Sequence, residues 1–165
     1  MSGRPPLDSA AALRHAFAAM LRFALACLIL TSTAARADEC DGLARQIAEA
    51  IGGRPARRSG PSIDIRVPGA IKFDVTCRAE PIVQASSGEA QPSATFFGDL
   101  ALASQILIGE PAQAIAPIIA RAHATSLAEG RKSFIQQNGW SASCYTDPRG
   151  SSMRTLCSVG RIPPG

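Results

Sequence analysis

The two side chains best spaced to do chemistry together are His123 and Ser126, three residues apart, a separation that puts both on one face of a helix. An imidazole beside a hydroxyl can take its proton and make it a nucleophile, which is the chemistry of a small hydrolase. The rest of such a site is missing, because no acid is placed to orient the imidazole and no G-x-S-x-G turn holds the serine. His123 also stands one turn from both Ile119 and Leu127, the pattern of a histidine half-buried in a helix surface. No phosphate-binding loop, calcium-binding loop or HExxH motif accompanies it. Catalysis by His123 with a Ser, Asp or Glu brought in by folding therefore stands as an alternative, and the leading expectation is non-catalytic.

Binding chemistry has two candidate sources. Arg54, Arg57 and Arg58 lie within Gly53–Pro61, a stretch whose Pro and Gly content predicts a solvated loop. Such a basic cluster could meet anionic lipid head groups or an acidic partner. The second source is Tyr145 with Arg149 and Arg154 around the turn cluster Asp147–Ser152, a small recognition surface if folding puts the ring beside a guanidinium. No cofactor is expected. No metal site is expected either, since C-x-x-C is absent and one histidine follows the N-terminal segment, whereas structural zinc needs clustered Cys and His.

That N-terminal segment sets the compartment. Met20-Leu21-Arg22, the apolar run 23–30 and Ala35-Arg36-Ala37 read as a secretory signal peptide with cleavage after Ala37. The apolar stretch is too short for a membrane span, which takes roughly 20 residues. Lipidation at Cys27 is the weaker reading, because Ala occupies the position where a lipoprotein signal has Leu and apolar residues follow the cysteine. Residues 1–19, with Pro5, Pro6 and Asp8, read as an extension ahead of a start at Met20. The expected location is the periplasm or the exterior.

Removing residues 1–37 takes away Arg4, Arg14, Arg22, Arg36 and Asp8, leaving thirteen basic against twelve acidic residues where the whole chain carries +4. A nucleic-acid partner needs concentrated positive charge, so none is expected; the expected partner is a protein or an envelope component. Removal also leaves four cysteines, Cys40, Cys77, Cys144 and Cys157, and an even count in an oxidising compartment predicts two disulfides.

The elements that would carry these residues follow from periodicity. Leu43, Ile47 and Ile51, between an acidic start and Gly52-Gly53, predict a helix over 41–51. Residues 63–67 and 71–78 alternate strictly and predict a hairpin with Val67 facing Ile71 and Ile63 facing Val75, all apolar residues and Cys77 on one face. Ile82-Val83 suggests a short strand and 84–92 a mobile polar loop. Residues 94–108 are apolar nearly all round and predict a buried helix; a second helix runs from Pro111 to about Glu129, kinked at or starting near Pro117. Residues 131–138 fit neither period. A final hairpin is predicted with Cys144 opposite Cys157, pairing fading where Trp140 would meet Arg161.

That register favours the bridge Cys144–Cys157 and leaves Cys40–Cys77 to tie the first helix to the first hairpin. The expected fold is one α+β domain over 38–165, an antiparallel sheet of two hairpins packed against about three helices in the order α-β-β-α-α-β-β. The expected function is an exported, non-catalytic protein that binds a protein partner or envelope component. Besides the hydrolase, the other alternative is a secreted inhibitor or interaction module acting through the basic stretch 54–58.

Overall fold

The computed structural model describes residues 39–163. The signal sequence, its cleavage at Ala37, the extension 1–19 and Cys27 lie outside the described residues. Over these described residues the chain is α+β, with three helices, here α1 (39–50), α2 (Ala94–Ile108) and α3 (Ala112–Glu129), and one antiparallel sheet of seven strands. The strands are β1 (Arg54–Ser59), β2 (Ser62–Arg66), β3 (Lys72–Thr76), β4 (Ile82–Ser87), β5 (Ser133–Gln137), β6 (Trp140–Thr146) and β7 (Thr155–Arg161). Their order across the sheet is β1-β2-β3-β4-β7-β6-β5. Two meanders, one before and one after the helical pair, thus join where β4 meets β7.

Both predicted hairpin registers are present. Ile63 lies opposite Val75, and Cys144 opposite Cys157 with Tyr145 opposite Leu156. The disulfides are Cys40–Cys77, with Cα atoms 5.9 Å apart, and Cys144–Cys157, with Cα atoms 4.1 Å apart. Pairing does not fade at Trp140, which sits directly opposite Arg161. Arg161 avoids the core by reaching sideways, its Nε donating to the Leu107 carbonyl at 3.0 Å and its guanidinium to the Ile108 carbonyl. It thereby satisfies carbonyls that the end of α2 leaves open.

Three strands differ from expectation. Residues 54–59 form an edge strand, not a loop, because an edge position tolerates Pro55 and a run of arginines that a central strand would not. The 84–87 stretch continues β4 between β3 and β7, and the segment after it is pinned: Thr155 Oγ1 donates to Glu89 O and the Arg154 N–H to Ser87 O. Residues 133–137 form the opposite edge, turned into β6 by Asn138 and Gly139, both at positive φ as a type I′ hairpin turn requires. Ile71 is a further correction. It leaves the inward face and stands 62% exposed at the β2–β3 turn.

The helices cover one face of the sheet. Alternate residues of the strands, among them Ile65, Phe73, Val83, Ala142 and Val159, meet Ile47 of α1, Leu100 of α2 and Ile119 of α3 in one buried cluster. Ser93 caps α2 by accepting from the Phe96 N–H, and Gly109 and Gly130 close α2 and α3 in the left-handed conformation. Pro111 offers α3 no side-chain cap, so the Gln105 side chain accepts from the Ala112 N–H at 2.9 Å. Pro117 lies inside α3 on its exposed side, where water can reach the Gln113 carbonyl that its missing N–H leaves unpaired.

Candidate functional site

His123 and Ser126 are both buried on α3, and each is engaged with backbone. His123 Nε2 is 2.8 Å from the Ala90 carbonyl and its ring packs against Phe97 at 5.1 Å. Ser126 Oγ accepts the Thr146 N–H at 2.8 Å. Among the described residues no hydrogen bond joins His123 to Ser126, and no carboxylate bonds the imidazole. The pair fastens α3 to the 88–92 segment on one side and to β6 on the other.

Tyr145 is exposed on the face of β6 away from the helices. Arg154 uses its Nε on the Gly150 carbonyl at 3.0 Å, inside its own turn, and the Arg149 N–H is bound by Asp147 Oδ1. Among the described residues no guanidinium stacks on the Tyr145 ring.

The arginine-rich stretch gives the most developed geometry. Every residue of β1 is exposed, and its pairing to β2 shifts between Pro55 and Arg58, so Ala56 and Arg57 form a bulge. A bulge turns a side chain out of the ladder, and here it re-aims Arg57. Arg54 lies directly opposite Arg66, an arrangement of like charges that weakens a strand pair. The β2–β3 register, continued two residues beyond Asp64 and Asp74, brings Lys72 beside Arg66 on the same face.

Arg54, Arg57, Arg66 and Lys72 line one concavity of about 550 Å³, together with the carboxylate-bearing Asp64 and walls that include Val67, Ala70, Ile71 and Phe73. Its charges are not equally committed. Lys72 Nζ lies 3.4 Å from Asp74 and 3.7 Å from Asp64, and Arg58, further along β1, is ion-paired with Asp41 of α1 at 2.6 Å. Among the described residues Arg54, Arg57 and Arg66 have no carboxylate partner. Of the three arginines singled out in sequence, then, two face the concavity, while Arg58 joins β1 to α1.

Arg66 and Lys72 escaped the sequence reading. Their outward placement was implicit in the β2–β3 alternation, but the partner that makes Arg66 notable is Arg54. That pairing becomes visible only once residues 54–59 are a strand. Among the described residues no helix is long and apolar enough to cross a membrane. No family model, curated protein or solved structure matches the chain.

Proposed function

We propose that the chain is an exported, non-catalytic binding protein of the periplasm or exterior that holds an anionic protein or envelope component against the β1 edge. The observation that carries this reading is the set Arg54, Arg57 and Arg66 around one concavity, with two of the three directly opposed and none neutralised by a carboxylate among the described residues. Like charges so placed repel each other, and a bound anion relieves that repulsion. The export part of the reading rests on the signal pattern at Met20–Ala37 and agrees with a fold closed by two disulfides. The hydrolase alternative receives no support from the geometry, since the imidazole and the hydroxyl are both occupied by backbone groups.

The test is pull-down from an envelope fraction at increasing ionic strength, with the unaltered protein and with an Arg54→Ala, Arg57→Ala, Arg66→Ala variant. Capture that weakens with salt and is lost in the variant supports the proposal. Capture indifferent to both salt and these substitutions sinks it.

A further inference from the structure

The basic concavity has an apolar side that a site for a free acidic protein segment has no need of. Ile71 lines it and is 62% exposed at the entry to β3, where its N–H donates to the Ser86 carbonyl, just past the exposed Pro68 and Gly69 of the β2–β3 turn. Val67 and Phe73 back the concavity from the core, both buried, so Ile71 is the apolar side chain it presents to solvent. The strand register predicted for this hairpin would have let Ile71 face inward with Phe73, yet its side chain is largely exposed, with its Cδ1 end beside Gly88, and it lines the same concavity as the arginines. A cluster of arginines adjoining an exposed aliphatic tip is the combination that binds an anionic lipid surface, the charges meeting phosphates and the tip entering the acyl boundary.

Accordingly, we infer that the concavity takes the phosphate-bearing head group of an anionic lipid, with Arg54, Arg57 and Arg66 on the phosphate and Ile71 inserted beside it. This rests on the reading of β1 as the binding edge and narrows its partner from any anion to a lipid surface. The guanidinium fork suits phosphate oxygens in paired hydrogen bonds. The bulge at Ala56-Arg57 turns the third arginine toward the same opening. Lys72, held by Asp64 and Asp74, braces the floor and leaves the ligand to the three arginines.

The experiment is co-sedimentation of the protein with vesicles of phosphatidylcholine, with and without a third of phosphatidylglycerol, in parallel with binding of short-chain polyphosphate and of polyglutamate. Binding is expected to the anionic vesicles alone. Each of Arg54→Ala, Arg57→Ala and Arg66→Ala should lower it about fivefold, and Ile71→Ser roughly tenfold. Ile71→Ser should leave any polyphosphate binding unchanged. Arg131→Ala, a substitution beside the opposite edge of the sheet where Arg131 pairs with Glu129, should have no effect on vesicles. The Arg→Lys versions at 54, 57 and 66 keep the charge and guard against a folding artefact; they should retain most of the vesicle binding.

Equal binding to neutral vesicles overturns the inference. So does arginine-dependent binding of polyphosphate or polyglutamate that anionic vesicles cannot compete away, although that result leaves the β1 edge standing as an anion site. Indifference of every probe to the arginine substitutions overturns both.

Discussion

At the scale of single residues, the side chains that looked most chemical are the ones the fold uses as fasteners. His123 bonds the Ala90 carbonyl and packs on Phe97, so His123→Ala leaves that carbonyl only its longer contact with Thr155 Oγ1 and removes one of the two clasps on the 88–92 segment. The expected cost is about 1–3 kcal/mol, read by urea unfolding, with partner binding at the β1 edge unchanged in the folded variant; a variant of unaltered stability that lost binding would restore a functional role to the imidazole. Asp99 on α2 carries a pH signature of its own. Desolvation by burial raises its carboxyl above the ordinary aspartate value of 3.8, so on acidification the folded chain takes up this proton before the unfolded chain does. The folded state is penalised where both forms are ionised, and the penalty fades as pH falls through the raised native value. Asp99→Asn should therefore unfold at a higher temperature than the parent at neutral pH, with the difference vanishing below the normal aspartate range of about 4. A difference that persisted in acid would place the effect elsewhere.

At the scale of elements, the strands with an apolar rhythm were legible and those without one were not. Ile63, Ile65, Phe73 and Val75 specify a register because a one-residue slip would turn all four to solvent, and the structure keeps that register. The β1 strand has no buried residue and is exposed throughout; its stability comes from the neighbour it pairs with, which local sequence does not encode. The β4 strand hid for the opposite reason. Its Ser86 and Ser87 are buried by a central position between β3 and β7, although the same residues in isolation signal a turn. The disulfides were legible because they follow from the hairpin that was. They divide labour in a way that can be measured. Cys144–Cys157 is wholly buried between paired strands, whereas Cys77 of the other bridge is only half-buried. Stepwise reduction under native conditions should open Cys40–Cys77 first, as mass spectrometry after alkylation will show. In the loop-entropy account, replacing Cys144 and Cys157 by Ala costs about 3 kcal/mol, and replacing Cys40 and Cys77, which close the longer loop, costs about 4 kcal/mol. Preferential early alkylation of Cys144 or Cys157 would contradict the buried placement.

At the scale of the whole molecule, the two groups of residues that sequence offered for binding cannot serve one small ligand. Tyr145 lies on β6, five strand intervals from β1, which at about 4.8 Å each puts some 24 Å of sheet between that ring and the arginines. The helices occupy the face opposite Tyr145, so they offer no shorter path between the two groups. Charge follows the same axis, with Arg54, Arg57 and Arg66 gathered at one edge and the uncharged strand β5 at the other. The chain's single tryptophan makes this polarity testable. Trp140 is 3% exposed on β6, beneath the helices, and its indole N–H has no hydrogen-bond partner among the described residues. Its emission should be blue-shifted in the native protein and move red only when the core opens in urea. Because ligand at the β1 edge touches nothing near it, saturating the protein with an anionic partner should leave the emission maximum where it was, while raising the urea midpoint through preferential binding to the folded state. A shift of Trp140 emission on binding, with no change in the urea midpoint of the Arg54→Ala, Arg57→Ala, Arg66→Ala variant relative to the parent under the same ligand, would relocate the site to the Tyr145 end of the sheet.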